Sequence, residues 1–409
     1  MTTETASMSL AGEKASLHGL KVLEMAQLIA GPMAGTFLAD LGADVVHVED
    51  PVHGDPQRKV GKSHEGSYLW WKVSGRNKRC VTLDLRQPEG QDLARKMATE
   101  WADVVITNFR VETLEKWQLD WSALHRANPK LIVLHVNGFG TNTSLRNSPG
   151  FGKVGEAMSG VVQITGFPDG PPVHTGFSHA DSLTGLMGAF AIQVALYRRE
   201  HDPEFQGEFI DLPLFETLYR LIEWQVVNYD VTGVVPVRAG NRLTNSPAAV
   251  INTYLSADDQ WITVTSGTPR SVKNVAALLG EPAEEYDTVE KQTERQGRLD
   301  ALLTAWVRAR PAAEALEAML SIEVVASRVF TMADIVDDPT YRERGDIIEV
   351  EDETFGTVKM QAVIPQMSNH PGRVWRTGPA LGMDNELVYK QELGMSDEQF
   401  DEFHKRGVI

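Results

Sequence analysis

The chain has almost no cysteine, no long apolar run and a shortage of positive charge. Cys80 is the single cysteine among 409 residues, which excludes a disulfide framework and a multi-cysteine metal site and is typical of a reducing compartment. It lies in a strand pattern, residues 79–85, where a buried structural thiol is favoured over a nucleophile. No eighteen apolar residues run together, and residues 1–17 lack the features of a signal peptide. We therefore expect a cytoplasmic protein without a membrane span.

The charge balance limits the kinds of partner. Lysine and arginine number 39 against 56 acidic residues, giving a formal net charge of −17. A nucleic acid or an anionic membrane surface would require a basic face, so neither is an expected partner. With 42% hydrophobic and 23% charged residues, the composition is that of a globular chain long enough for two or three domains. An anionic ligand would have to meet a local cluster of cations.

Several common catalytic and nucleotide-binding motifs are also missing. The first strand-to-helix turn, residues 27–35, lacks the Gly-x-Gly-x-x-Gly spacing that cradles a dinucleotide pyrophosphate. The phosphate loop, the Gly-x-Ser-x-Gly elbow and the His-Glu-x-x-His zinc helix do not occur either. We therefore expect no nicotinamide or flavin cofactor and no metal.

What the sequence does contain is a regular alternation of strand and helix patterns. A strand, a helix that begins with glycine and proline, and a second strand form one βαβ unit, and a second round follows. The predicted segments are residues 19–25, 30–43, 44–49, 79–85, 88–101, 103–108 and 130–136. This alternation predicts a doubly wound, Rossmann-like α/β domain with a partly parallel sheet, whose ligands gather at the carboxyl ends of the strands.

The pattern changes in the second half of the chain. Residues 226–248 are rich in glycine, proline, asparagine and serine and are predicted to be a linker. Residues 249–328 combine strand patterns with long helical ones and predict a smaller α+β domain. Residues 329–409 are predicted to form a return linker and the C-terminal part of the large domain, whose first part is residues 1–225.

One carboxylate, Asp181, lies where a loop of small residues gives way to an apolar helix. A helix start offers free N–H groups and a field that favours negative charge, so Asp181 could face a ligand as a nucleophile. The alternative is that Ser178 and Asp181 form a Ser-x-x-Asp capping box without chemistry. These residues alone favour the cap.

Other polar residues flank the predicted strands. Residues 107–110 place an amide, an aromatic ring and a guanidinium at a carboxyl strand end, which favours a ligand role. Asn77, Lys78 and Arg79 precede a strand and are either a solvated loop or an anion site. His135 is predicted to be a satisfied core histidine rather than a base.

Several ordered stretches together resemble the family III CoA-transferases, which include formyl-CoA:oxalate and carnitine CoA-transferases and have 2-methylacyl-CoA racemases as relatives. The likeness covers nearly the whole chain, and residues 365–382 look closest to the carnitine branch. The stretches are residues 41–49, 77–85, 108–110, 128–132, 136–140, 149–151, 156–160 and 180–181.

The resemblance implies an enzyme that takes acyl-CoA and a small carboxylic acid as substrates, with Asp181 as a covalent nucleophile. It also implies an interlocked homodimer. For Lys116, a solvated helix face is an open alternative. The residues that match family positions near CoA are Asn77, Lys78, Arg79, Asn108, Phe109, Lys116 and Asn137.

Departures from the family pattern keep alternatives open. Racemase relatives have a histidine where this chain has Phe151, which cannot act as the second acid or base, although Glu156 or Lys153 could substitute. Residues 239–248 lack the glycine run that forms a lid in some transferases. The three hypotheses for the function are a CoA-transferase, a racemase or isomerase with Asp181 as the base, and a CoA-binding subunit of a heteromer.

Overall fold

The computed structural model describes residues 15–243 and 245–409, which divide into two compact units. The first unit contains the described residues of Met1–Val161, Thr175–Val226 and Arg342–Ile409, and the second contains those of Val162–His174 and Val227–Tyr341. Residues 162–174 therefore group with the second unit, although the sequence pattern assigns them to the large domain. Among the described residues, no helix is both long and apolar enough to cross a membrane.

The regular elements follow one another as strands and helices of mostly short length. The strands are β1 (Lys21–Met25), β2 (Asp44–Glu49), β3 (Ser63–His64), β4 (Ser67–Tyr68), β5 (Arg79–Thr82), β6 (Val104–Thr107), β7 (Ile132–Asn137), β8 (Glu208–Pro213), β9 (Val250–Leu255), β10 (Trp261–Ser266), β11 (Ala326–Arg328), β12 (Ile347–Asp352) and β13 (Gly356–Gln361). The α-helices are α1 (Ala30–Asp40), α2 (Leu69–Ser74), α3 (Pro88–Lys96), α4 (Val111–Trp117), α5 (Trp121–Ala127), α6 (Gly152–Met158), α7 (Val161–Ile164), α8 (His179–His201), α9 (Leu214–Leu221), α10 (Trp224–Thr232), α11 (Pro269–Leu278), α12 (Val289–Arg308), α13 (Ala312–Leu320), α14 (Met332–Asp337), α15 (Pro339–Arg344) and α16 (Asp397–Lys405).

A six-stranded sheet forms the centre of the first unit. Its strand order is β5-β2-β1-β6-β7-β8, and every pair is parallel. Strands β2, β6 and β7 are almost wholly buried, which explains why they are rich in valine, isoleucine and leucine. The order reverses between β1 and β6, and at such a switch point the loops diverge to leave a crevice at the carboxyl ends. The predicted parallel α/β sheet is confirmed.

Helix α8 crosses this sheet next to α1, and small residues allow the close approach. A Cβ added at Gly185 would lie 2.7 Å from Met33 Cβ, and one at Gly188 would lie 2.7 Å from Leu134 Cδ2. A side chain at either position would push α8 outward or displace the neighbouring side chain, because real Cβ atoms do not approach other atoms this closely. The two glycines therefore fix the depth of α8, which carries Asp181 in its first turn.

The C-terminal part of the first unit completes the outer edge of the sheet. The carboxylate of Asp384 accepts the Cys80 N–H at 2.7 Å, and the side chain of Asn385 accepts the Thr82 N–H at 2.8 Å. These bonds satisfy donors that an edge strand otherwise leaves free. Cys80 is fully buried and burial raises the pKa of its thiol, as expected for a structural cysteine.

The second unit is a small α+β body with its own core. Its sheet is antiparallel, in the order β11-β10-β9. One face is covered by helices, and the hydroxyl of Tyr254 donates to Asp300 Oδ1 on α12 at 2.8 Å. The core is built mainly from aliphatic side chains, including those of Val250, Ile262, Val264, Val275, Leu299, Leu303 and Met319.

Candidate active site

Asp181 lies in the first turn of α8 and is partly buried. Ser178 precedes the helix, but its side chain makes no capping hydrogen bond, so the capping-box interpretation is wrong. Burial raises the pKa of Asp181 to about 6, and the negative charge of Glu156 acts in the same direction. The positive charge of Lys153 and the backbone N–H of Asp181 itself oppose this rise. The carboxylate is thus held in a site that disfavours its charge.

The start of α6 packs against this carboxylate. A Cβ added at Gly152 would lie 2.0 Å from Asp181 Oδ2 and 2.6 Å from Cγ. No side chain fits there while Asp181 keeps its position, because real Cβ atoms do not come so close to a carboxylate. Gly152 is a site residue that was not predicted, and its one signal in the sequence is its place in the short glycine-rich stretch 150–152.

Lys153 and Glu156 join α6 to the loop before α8. The Lys153 ammonium group lies 3.0 Å from both carboxylate oxygens of the buried Glu156. It also donates to the carbonyl oxygens of Thr175 at 2.9 Å and Phe177 at 3.0 Å. These four contacts position the loop that leads to Asp181 and occupy the amino group that a racemase would need as a free acid or base.

A cavity of about 490 Å³ opens at the carboxyl ends of β1, β6 and β7, at the switch point of the sheet. This is where ligands bind in doubly wound sheets. Asp181 and residues from the loops that follow these three strands share its wall. The lining residues are Gln27, Leu28, Ile29, Ala30, Asn108, Phe109, Arg110, Thr113, Val136, Asn137, Gly138, Arg146, Ser148, Pro149, Gly150, Phe151, Asp181 and Leu214.

Three of the predicted CoA contacts, Asn108, Phe109 and Asn137, line this cavity together with Asp181. Asn108 donates to the carbonyl oxygen of Gln27 at 2.7 Å and accepts its N–H at 3.0 Å, so it fixes the β1–α1 loop. The ring of Phe109 is nearly perpendicular to that of Trp117, and the two ring centres lie 5.3 Å apart. The amide of Asn137 donates to Asp211 Oδ1 at 2.6 Å.

The other predicted contacts lie outside the cavity lining. Lys78 is fully buried, and its ammonium group donates to Glu24 Oε1 at 2.8 Å and to the Pro32 carbonyl oxygen at 2.6 Å. The interpretation of residues 77–79 as a solvated loop is wrong, because burial removes all three side chains from water. Lys116 is exposed on α4.

Arg79 and Asn77 are held in the same way. The Arg79 guanidinium donates to Asp44 at 2.8 and 2.6 Å and contacts Glu392. The side chain of Asn77, whose φ is +62°, donates to Asp40 Oδ1 at 2.8 Å. Their polar groups therefore face protein carboxylates rather than the cavity.

Two cations at the cavity, Arg110 and Arg146, were absent from the predicted CoA contacts. Arg146 Nη2 lies 3.4 Å from Glu115 Oε1, and both side chains are about half exposed. Arg110 is exposed and has no ion pair within residues 15–243 and 245–409. Arg110 belongs to the polar trio that follows β6, whereas Arg146 lies in an irregular loop that gives no periodic signal.

His135 is a core histidine, as predicted. It is buried on β7, and its Nε2 lies 2.8 Å from the carbonyl oxygen of Phe109. Burial lowers the pKa of His135, so the ring is neutral at physiological pH. Its contact supports the backbone of the cavity wall, and His135 itself does not line the cavity.

The chain is similar to known proteins over nearly its whole length. A family model, CoA-transferase family III, matches residues 17–385. Succinyl-CoA–D-citramalate CoA-transferase of Chloroflexus aurantiacus is 38% identical over 398 residues, covering 96% of this chain and 98% of the relative. The beta subunit of succinyl-CoA–L-malate CoA-transferase from the same organism is 33% identical over 400 residues, with coverage of 96% and 98%.

A solved structure of a CAIB/BAIF family protein from Brucella suis superposes with a TM-score of 0.81 at 31% identity, covering 93% of this chain and 100% of that one. The chain therefore belongs to CoA-transferase family III. The predicted family and the predicted enzyme class, a CoA-transferase, are confirmed.

Proposed function

We propose that this enzyme moves CoA from an acyl-CoA thioester to a free carboxylic acid in the cavity described above, with Asp181 as the covalent nucleophile. The observation that carries the proposal is that Asp181 lines the cavity and does not form a capping box with Ser178. Its pKa of about 6 leaves it ionised at neutral pH while making it more basic than an ordinary aspartate. Both properties favour nucleophilic attack.

The proposed reaction consists of two mirrored halves. An oxygen of Asp181 attacks the thioester carbonyl of the donor, the C–S bond breaks, and a mixed anhydride and CoA thiolate form. The thiolate then attacks the aspartyl carbonyl, which releases the donor acid and leaves an aspartyl-CoA thioester. The acceptor carboxylate attacks this thioester, and the liberated thiolate attacks the acceptor acyl carbon, which regenerates Asp181. Retention of CoA gives the thiolate a high effective concentration at each step.

The residues proposed to contact CoA are those that line the cavity. Asn108, Phe109 and Asn137 offer amides and an aromatic face, and Arg110 and Arg146 offer positive charge in a chain of net charge −17. A guanidinium without a strong protein partner is free to pair with phosphate or carboxylate oxygens. The proposal leaves Asn77, Lys78 and Arg79 as supports of the sheet, because protein carboxylates already engage their side chains. A contact from Lys116 stays a prediction.

We propose small dicarboxylic acids as the substrate class. The two relatives described above are named for succinyl-CoA with citramalate or malate, and these acids carry a second carboxylate. Arg110 or Arg146 could hold that carboxylate while the other end reacts at Asp181, since all three residues line one cavity. An aliphatic monocarboxylate would leave the cations without this partner and should be a poorer acceptor.

The proposed assembly is a homodimer. Leu186, Phe190, Val194 and Tyr197 recur every three or four residues along α8 and form an exposed apolar stripe on a helix whose other face is buried. Such a stripe is expected to be covered by another chain. A monomer in light scattering at low micromolar concentration would contradict this. If activity requires a second, different chain, a heteromer is favoured instead. One relative is itself named as a beta subunit.

The test of the nucleophile is the Asp181→Asn variant. The amide preserves shape but cannot form the anhydride, so CoA exchange between two acids should fall by several orders of magnitude while acyl-CoA binding persists. Asp202→Asn, at the other end of α8, is the matched control and should keep wild-type activity. Transfer at the wild-type rate by folded Asp181→Asn would refute the mechanism.

Trapping a covalent intermediate on Asp181 distinguishes the transferase hypothesis from the racemase hypothesis. Hydroxylamine added to the wild-type enzyme with succinyl-CoA should convert Asp181 to a hydroxamate that peptide mass spectrometry detects, because a thioester or an anhydride is cleaved by this nucleophile. A base-catalysed racemase would leave Asp181 unmodified and exchange the α-proton of a 2-methylacyl-CoA with heavy water. The second result would replace the proposal.

A further inference from the structure

One wall of the cavity is the β1–α1 loop, which contributes Gln27, Leu28, Ile29 and Ala30. Leu28 has a φ of +66°, a left-handed conformation that is unfavourable for a residue with a branched side chain. Such a conformation persists only where surrounding contacts fix it. The Leu28 N–H donates to the carboxylate of Asp55, 3.0 Å from Oδ1 and 3.2 Å from Oδ2. Asp55 is therefore an anchor of the cavity wall.

Asp55 in turn lies against a buried histidine. His47 Nε2 is 3.3 Å from Asp55 Oδ2, and Nδ1 is 2.6 Å from Glu24 Oε1. Cys80 is the register partner of His47 on β5, the Trp71 ring centre lies 5.8 Å from that of the imidazole, and the negative charge of Glu49 also acts on the ring. Cys80 is a neutral thiol, because burial raises its pKa. The imidazole is thus flanked by two carboxylates, and its proton is what makes both contacts attractive.

The same carboxylates belong to a larger set, which we name the buried charge cluster. Lys78 lies 2.8 Å from Glu24 Oε1, Arg58 Nε lies 2.6 Å from Glu49 Oε2, and the Asp55 N–H donates to Glu49 Oε2 at 2.9 Å. The cluster contains three acidic and three basic side chains, and their charges sum to zero only when His47 is protonated. The members of the cluster are Glu24, His47, Glu49, Asp55, Arg58 and Lys78.

We propose that His47 is a positioning residue for acyl-CoA transfer: its protonated ring holds Asp55, and Asp55 holds the Leu28 N–H and with it the β1–α1 wall of the cavity. The catalytic meaning of this inference rests on the proposed function. The structural relay, from β2 through Asp55 to Leu28, stands on the contacts alone. Asn108 provides the second anchor of the same loop, through Gln27.

The relay predicts a loss of order at alkaline pH. The two carboxylates raise the pKa of His47 to about 9 although burial opposes this. Because the folded-state pKa lies above the ordinary value of 6.5, the contribution of His47 to stability is fully present below about pH 6.5 and is lost as the pH rises through about 9. Above that pH, Asp55 loses its charged partner and the Leu28 anchor weakens.

The first test measures hydrogen exchange in peptides that cover Leu28, at neutral pH. His47→Gln removes the positive charge beside Asp55. Exchange at Leu28 should then accelerate by at least about tenfold, the effect expected when the charge-assisted hydrogen bond from the Leu28 N–H to Asp55 is lost. His47→Lys keeps a cation and should restore most of the protection. His64→Gln, the same substitution at an exposed histidine, should change nothing. Unchanged exchange at Leu28 in folded His47→Gln would overturn the inference.

The second test follows kcat/KM for succinyl-CoA with pH. Wild type should lose activity above pH 9 while circular dichroism still reports a folded protein, and His47→Lys should lose this alkaline limb or shift it upward. An alkaline limb identical in both proteins would overturn the inference. If His47→Gln fails to fold, exchange at Leu28 in wild type across the same pH range, corrected for intrinsic rates, decides the matter. A wild type without transferase activity would refute the proposed function but leave the exchange test valid.

Discussion

Two groups of cations in the first unit have opposite surroundings. Lys78, directly before β5, and Arg79, the first residue of β5, each have a carboxylate oxygen within 3 Å and are buried. Arg110 and Arg146, in the loops after β6 and β7, line the cavity and have at most the long contact of Arg146 to Glu115 within the described residues. A cation that is already paired and buried belongs to the fold, and one that is not is available to a ligand.

The largest expected effect is on stability and comes from breaking the buried ion pair of Lys78. Lys78→Ala leaves Glu24 beside His47 without its second cation and should lower the free energy of unfolding by about 3 to 5 kcal/mol, as for the loss of one partner in a buried pair. Chemical denaturation measures this. Lys116→Ala is the matched control on an exposed helix face and should stay within about 0.5 kcal/mol of wild type. Equal stabilities for the two variants would contradict the distinction between the groups.

The next effect concerns the packing of α6 against Asp181. In Gly152→Ala the new methyl group must displace the carboxylate, and a shift of about 1 Å is enough to lower kcat by about 100-fold. Gly176→Ala is the control, since a Cβ there meets nothing within 4 Å. Steady-state kinetics at saturating succinyl-CoA separates the two variants, and a normal kcat for Gly152→Ala would mean that the site tolerates a displaced Asp181.

The raised pKa of Asp181 predicts how activity and stability change with pH. Because the pKa is about 6, kcat/KM should fall about tenfold per unit as the pH drops below 6. A carboxyl group whose pKa rises on folding destabilises the folded state when it ionises, so Asp181→Asn should have a higher Tm than wild type at pH 8. That difference should shrink as the pH falls through 6. An identical Tm at every pH would contradict the raised pKa.

The smallest effect is expected for the cavity cations. Arg146→Gln should raise KM for succinyl-CoA by about tenfold, the loss of one charge-assisted contact, and leave the Tm unchanged. The same variant should discriminate less between a dicarboxylic and a monocarboxylic acceptor if Arg146 holds the second carboxylate. An unchanged KM and an unchanged acceptor preference would remove Arg146 from the proposed site.

The sequence predicted the central sheet because buried parallel strands consist of continuous apolar runs, and it drew attention to Asp181 because helix starts have a local signature. It could not predict the partner of Lys78, since Glu24 lies 54 residues away and meets it only through strand register. The capping box failed because the Ser178 backbone, with ψ of 68°, is not in the usual extended cap geometry. Arg146 was not predicted as a cavity residue, because the loop that carries it has no hydrophobic periodicity from which its position could be inferred.

The edge of β5 also has a consequence for how the chain is synthesised. Its N–H groups are satisfied by Asp384 and Asn385, which follow roughly 300 residues later in the sequence. At about 5 to 20 residues per second, the ribosome exposes β5 for roughly 15 to 60 seconds before those partners emerge. During that time the strand is an open template for pairing with another nascent chain. Expression yield should therefore depend on chaperone supply and translation speed.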